Sequence, residues 1–380
     1  MIARKLGQLA ACELPASKRF LHAPVLRAPC VLDTLGGSSR DTGMRVVCLK
    51  GGFGLENLRV EERAEPSCGP QQVVIRVQAA SLNARDVMMA RGEYNPRQKL
   101  PLVLGSDAAG EIVERGSQVS EWAVGDRVCP IFAGLWQAGP LTRSAQKSAL
   151  GGPLDGPLAE YFAADASAIV RAPSYLSPIE AACLPCAGVT AYRALVELGQ
   201  MQAGQWLVCL GTGGVSLAGL GIAKALGVRV IVTSRSAHKL ERAAALGAAH
   251  GIDTSLGAEF GKLARELSDG EGVHHVLEVG GAQTIEQSIR ALRLGGTLSV
   301  IGVLSGARPE IDLRPLLMQD IRIQGVFVGN RATFVSLLEL YERHAVRPQV
   351  DRVFSMADAR AAFEYAASGQ QFGKVALSFE

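Results

Sequence analysis

The residues Gly211-Thr212-Gly213-Gly214-Val215-Ser216 have the composition and spacing of a turn that cradles a phosphate. Gly211 permits the tight reversal, Gly213 leaves the backbone open to an anion, and the helix expected behind them offers unpaired N–H groups. Ser216 stands where the G-x-G-x-x-G pattern has its third glycine, and it is small enough for close helix-strand packing. About 20 residues past the glycines, where a dinucleotide fold chooses between cofactors, stand Ser234 and Arg235. His238 and Lys239 follow, with no carboxylate before Glu241. A carboxylate about 4 Å from a 2′-phosphate would cost up to ~4 kcal/mol at an effective dielectric near 20, so the pattern favours NADP(H) over NAD. The plainer use of Arg235 and Lys239 is as solvated helix-start charges.

These side chains need a strand, a turn and a helix to position them. Leu207 to Leu210 form an apolar run too short for a helix, and residues 217–226 have helical spacing. A second strand, Val228 to Thr233, follows at the βαβ distance. Strands at 273–278 and 296–301, with a helix at 283–293, continue a parallel, doubly wound sheet. Two helices open before the turn, at residues 178–182 and 187–195. The stretch from Met44 to Ala172 reads as β instead, with strands at 44–49, 72–80, 108–114 and 156–162 and a turn at 124–128. Within it Val73, Ile75, Val77 and Ala79 alternate as on a half-buried strand. Helices near 332–343 and 357–367 and a strand at Lys374-Val375-Ala376-Leu377 return to that first unit.

The expected organisation is therefore an N-terminal extension at 1–43, a mostly β substrate domain at 44–172 and 327–380, and a Rossmann NADP-binding domain at 173–326. The extension has basic residues in excess and no periodic pattern, as a disordered segment, a transit peptide or an early start before Met44 would. The formal net charge is +3 over 380 residues, with no dense basic run, which gives no support for nucleic-acid or membrane-surface binding. Residues 198–223 carry no formal charge, but their glutamines and glycines fit a buried strand-turn-helix better than a membrane span. Eight cysteines without repeated spacing indicate no disulfide framework and fit a reducing, cytoplasmic setting. Cys183-Leu184-Pro185-Cys186 has the spacing of a redox or metal pair, yet no second pair completes a site, and two buried thiols explain it as well.

From residue 44 onward the chain resembles the medium-chain dehydrogenase/reductase superfamily, in its zinc-free, quinone-oxidoreductase-like branch. The resemblance rests on five motifs in order: Ser81-Leu82-Asn83-Ala84-Arg85-Asp86, Leu104-Gly105-Ser106-Asp107-Ala108-Ala109-Gly110, Val124-Gly125-Asp126-Arg127-Val128, Cys186-Ala187-Gly188-Val189-Thr190-Ala191-Tyr192, and the glycine turn. It implies an α/β protein, a Rossmann doubly wound parallel sheet plus a GroES-like mostly β substrate domain, working as a homodimer. Zinc-dependent members carry a cysteine, a histidine and a cysteine in the first, second and fourth of these motifs. This chain has Asn83, Ser106 and Cys186 there, and no histidine between His22 and His238. A catalytic zinc needs three protein ligands and an open position, so no metal is expected.

Without a Lewis acid, the substrates that remain easy are those that spread the incoming charge themselves, namely quinones and α,β-unsaturated carbonyls. The resemblance implies that Tyr94 hydrogen-bonds the carbonyl of such a small-molecule substrate or delivers a proton, and that Asn83 contacts the nicotinamide or the substrate oxygen. The plainer uses are surface packing for Tyr94 and a bond to its own backbone for Asn83. The resemblance places Thr190, Gly302, Val303, Phe327 and Val328 around the nicotinamide, beside the cofactor residues Gly211, Thr212, Gly213, Gly214, Val215, Ser234, Arg235 and Lys239. Arg85 and Asp86 are expected to form a structural salt link, with lining the cleft as the alternative, and Glu278-Val279-Gly280-Gly281 to end a strand at the cofactor edge of the sheet. The expected function is an NADPH-dependent, zinc-independent oxidoreductase of conjugated carbonyls or quinones. An alcohol dehydrogenase or enoyl-thioester reductase, or an NADPH-binding sensor without turnover, are the rival expectations.

Overall fold

A computed structural model describes residues 43–379, so the expectation for the N-terminal extension lies outside the described residues except at Gly43, which opens the first strand. The first strands are β1 (Gly43–Leu49), β2 (Leu58–Ala64), β3 (Gln72–Leu82), β4 (Leu102–Val103), β5 (Asp107–Arg115), β6 (Arg127–Pro130), β7 (Tyr161–Asp165) and β8 (Ile169–Arg171). Next come β9 (Trp206–Cys209), β10 (Arg229–Ser234), β11 (His250–Asp253), β12 (Val273–Glu278), β13 (Leu292–Val300) and β14 (Arg322–Gly325), and last β15 (Val350–Ser355) and β16 (Lys374–Ser378).

The middle group forms one six-stranded parallel sheet in the order β11-β10-β9-β12-β13-β14. All four residues of β9 are buried, as a central strand covered on both faces requires. The outer groups join in a seven-stranded sheet, β15-β16-β3-β5-β6-β8 with β7 also on β3, beside the three-stranded β2-β1-β4. The chain therefore leaves the parallel sheet and places β16 back against β3, antiparallel, pairing Val375 with Leu82.

Several expected elements change. β3 does not simply alternate: Val73, Val74 and Ile75 are all buried. The strand pairs with β5, β7 and β16, and it contributes side chains to three separate apolar clusters, so neither face meets water throughout. The strand expected at 156–162 begins only at Tyr161. Ahead of it, Gly156 and Leu158 donate to Val103 O and Leu104 O, and a Cβ at Gly156 would run into the Gly105 carbonyl. Pro157 has no N–H to add to a ladder.

After the short helix α1 (Ala84–Ala90), the two helices expected before the glycine turn are one, α2 (Pro178–Leu198), continuous because the backbone widens to i→i+5 turns at Leu184–Gly188 around Pro185. It is long and apolar enough to cross a membrane by composition alone, yet 72% of its apolar window is buried inside the protein, as in a core helix. The glycine turn leads from β9 into α3 (Gly214–Ala225), and β10 leads into α4 (Ala237–Leu246).

Gly110 lies opposite Val77 in the β3–β5 ladder, and a Cβ there would strike the Arg76 carbonyl oxygen and stand 2.8 Å from Ile75 Cγ2. Gly110→Ala is expected to destabilise the protein by about 1–3 kcal/mol, the usual cost of overpacking. Urea denaturation reads this as a lower midpoint at unchanged slope, and an unchanged midpoint would refute the close approach.

Candidate active site

The glycine turn is built as its residue types require. Gly211 has φ +68°, a left-handed value, and its N–H donates to Thr233 Oγ1 at the end of β10. A Cβ at Gly213 would meet nothing within 4 Å, so the ground in front of α3 is open for a phosphate. Ser216 is buried and donates to Leu210 O at 2.6 Å, tying the first turn of α3 back to β9. Thr212 O accepts the Gly373 N–H at 2.8 Å, so the residue before β16 is stitched to the turn.

A cleft opens beside this turn. Asn83, Arg85, Tyr94 and Phe132 line it from the substrate side; Cys186, Thr190, Gly213, Gly214 and Val215 line its floor; and Val279, Ile301, Gly302, Leu304, Phe327 and Val328 line the edge of the parallel sheet. The structure thus brings together the expected Asn83, Tyr94, Thr190, Gly213, Gly214, Val215, Gly302, Phe327 and Val328. Val328 has φ +41°, strained for a β-branched residue, as happens where a binding site dictates the backbone. Gly211, Thr212, Val303, Ser234, Arg235 and Lys239 do not line the cleft. Leu304 lines the cleft in place of Val303, which is exposed.

The β10 end lies one strand from the glycine turn, with Val232 paired to Cys209. Ser234 is buried, Arg235 is exposed, and Lys239 Nζ donates to Gly369 O and Gln371 O. Burial lowers the Lys239 pKa, against the pull of Asp351. Asp253, opposite Ser234 on β11, spends a carboxylate oxygen on the Ser255 N–H.

β12 ends at Glu278, as expected, and the Glu278 carboxylate accepts from Gly280 N, Gly281 N, Thr284 Oγ1 and Ser288 Oγ. It therefore shapes the loop, and Val279 faces the cleft. Arg85 and Asp86 do form the expected ion pair, 3.6 Å apart, and the guanidinium also stands 5.2 Å over the Tyr94 ring and 4.9 Å over Phe132. Tyr94 itself is 45% exposed.

Beneath the cleft lies a buried polar cluster, in which Lys374 was legible beforehand only as the start of a strand. Its Nζ donates to Leu82 O at 2.9 Å and Asn83 Oδ1 at 2.5 Å, and reaches Asp107 Oδ2 at 3.4 Å. Ser81 and Ser106 donate to the Asp107 carboxylate. Asp86 Oδ2 accepts the Asn83 N–H at 2.8 Å, while Oδ1 has no hydrogen-bond partner. Burial pushes the Asp86 carboxyl up to about 6, against the pull of Arg85. A lysine opening a strand that is otherwise buried was the available signal for this cluster.

Known proteins fit this geometry. Residues 69–174 match the family described as alcohol dehydrogenase GroES-like domain, and residues 214–343 the family described as zinc-binding dehydrogenase. A zinc-type alcohol dehydrogenase-like protein of Schizosaccharomyces pombe is 38% identical over 334 residues, covering 86% of this chain and 96% of that one. The structure of a 2-octenoyl-CoA carboxylase reductase in complex with NADP and 2-octenoyl-CoA superposes with a TM-score of 0.78 at 27% identity, covering 88% of this chain and 87% of that one. A quinone oxidoreductase from Coxiella burnetii superposes with a TM-score of 0.73 at 26% identity, covering 89% of this chain and 100% of that one.

The zinc in the second family's description does not fit the donors present. At the three positions that resemblance assigns to a catalytic zinc stand an amide, a hydroxyl and the Cys186 thiol, one zinc ligand where three are needed. Asn83 Oδ1 is moreover already engaged by an ammonium.

Two outcomes follow. Gly213→Val is expected to weaken dinucleotide binding at least tenfold, about 1.4 kcal/mol, with no change in melting temperature, as read by quenching of protein fluorescence. Binding at wild-type strength would place the phosphates elsewhere. An unfolded aspartate titrates near about 3.9, so the folded protein holds the Asp86 proton more tightly, and this stability is present at low pH and lost as pH rises through about 6. Between about pH 4 and about pH 7 the wild type should therefore lose roughly 1–3 kcal/mol relative to Asp86→Asn. A pH-independent difference in urea midpoints would show that folding leaves the Asp86 carboxyl unshifted.

Proposed function

Because this chain belongs to the medium-chain dehydrogenase/reductase superfamily of dinucleotide-binding oxidoreductases, we propose that it is an NADPH-dependent reductase of conjugated carbonyls or quinones that works without a metal. The observation that carries this reading is the set of groups facing the reaction space. Asn83 and Tyr94 offer hydrogen-bond donors among apolar walls of Phe132, Ile301 and Phe327, and the zinc positions hold poor ligands.

Bound NADPH supplies a hydride. The glycine turn and α3 hold its phosphates, Thr190 and the loops at Gly302 and Phe327 hold the nicotinamide, and Arg235 with Ser234 meets the 2′-phosphate. A conjugated substrate lies with its carbonyl oxygen toward Asn83, whose N–H stabilises the enolate charge that develops there. Tyr94, or a water at the exposed side of its ring, delivers the proton that completes the saturated product. A quinone follows the same course to the hydroquinone. An enoyl thioester belongs to the same electronic class, and the neighbour solved with 2-octenoyl-CoA makes it the second reading.

The test is oxidation of NADPH and NADH by protein dialysed against a chelator, with trans-2-hexenal, 1,4-benzoquinone against an enzyme-free blank, crotonyl-CoA and cyclohexanol with NADP⁺. Turnover of the enal or quinone that survives chelation and prefers NADPH is expected, as is a fall of about 100-fold in kcat for Tyr94→Phe, within the usual worth of a general acid. Arg235→Glu should reverse the cofactor preference. Crotonyl-CoA as the far better substrate would establish the thioester reading. Alcohol oxidation that is lost on chelation and restored by zinc would overturn the proposal, and NADPH binding with no turnover of any substrate would make the protein a sensor.

A further inference from the structure

Lys374 opens β16 and is 4% exposed, yet it lines the cleft. Its stem passes so close to the start of α3 that a Cβ at Gly214 would stand 2.6 Å from Lys374 Cδ. The ammonium is thus threaded between the cofactor turn and the Asn83 loop. An ammonium has donors and no acceptor, so the Asn83 oxygen, and not its nitrogen, must face it. With the amide turned that way, Nδ2 makes one contact, to Ser106 Oγ at 3.3 Å, and one of its hydrogens has no partner among the described residues.

We propose that Lys374 is the fixed cation of this site: it stands where zinc-dependent relatives need a metal's charge, and it locks Asn83 with a polarised N–H facing the substrate oxygen. The catalytic role of that N–H rests on the reductase reading above. When hydride brings its electron pair to the β-carbon of an enone, the C=C pair moves toward the carbonyl and the oxygen takes the negative charge. Asn83 donates a hydrogen bond and keeps its proton, and the α-carbon is protonated from Tyr94 or water. Lys374 transfers nothing; its charge, drawn through the amide, makes the N–H a stronger donor. Lys374 is thereby a positioning residue.

The experiment compares the full-length wild type with Lys374→Met, Lys374→Arg and Asn83→Asp. Zinc content is measured after dialysis against equimolar zinc, NADPH affinity by fluorescence, and kcat and KM with trans-2-hexenal. The wild type is expected to retain no zinc. Lys374→Met and Asn83→Asp should each lose about 100-fold in kcat, the usual worth of one oxyanion donor, with NADPH affinity changed less than about twofold. Lys374→Arg should recover most of the loss. Asn83→Asp keeps an oxygen toward Lys374 and deletes the N–H, so it decides the matter even where Lys374→Met fails to fold. Wild-type kcat in Asn83→Asp, or one zinc per wild-type chain, would overturn the proposal. A wild type that reduces neither enal nor quinone would sink the reductase reading alone; the zinc measurement then decides for the cation by its absence or against it by one equivalent.

Discussion

One buried ammonium sets the terms for the centre of this protein. Lys374 Nζ and the Asp107 carboxylate are both almost wholly removed from water, and such a pair is tolerable only when its remaining hydrogen-bonding capacity is met. The surrounding chain meets it. Leu82 lends a carbonyl, Asn83 an amide oxygen, and Ser81 and Ser106 lend hydroxyls to the carboxylate. Each of these groups sits at the end of a strand or at the head of a helix, so β3, β5, β16 and the first turn of the helix Ala84–Ala90 converge on one point. Apolar burial gives those elements their stability, and the polar knot dictates their relative position.

The same knot links the two kinds of chemistry. On one side Gly373 is bonded to Thr212 in the nucleotide turn; on the other, Lys374 is bonded to Asn83. Gly214 must lack a side chain to let the lysine stem pass. The glycine turn and the Asn83 loop are therefore joined through two consecutive residues, Gly373 and Lys374.

Much of this was legible in the residues, and the limits have physical causes. The apolar run before the glycine turn declared a central parallel strand, since a strand covered on both faces leaves no room for polar alternation. β11 escaped notice because only Ile252 of its four residues is buried, which leaves no pattern to read. α2 looked broken because Pro185 and Gly188 signal termini locally, while tertiary burial carried the helix through them. For the site, the nucleotide turn came from local spacing, and the replacement of zinc ligands at Asn83 and Ser106 came from the family resemblance. Lys374 lies 291 residues from Asn83, and periodicity can report that a lysine is out of place but not which partner buries it.

That separation has a consequence in time. Closing so long a loop is slow, because its entropic cost precedes any gain from the contact it makes. A chain in which only the parallel sheet has formed presents the glycine turn and its helix without the ammonium or the amide that the ammonium orients. The nucleotide turn is thus made from neighbouring residues, whereas the contact between Asn83 and Lys374 needs both ends of the chain.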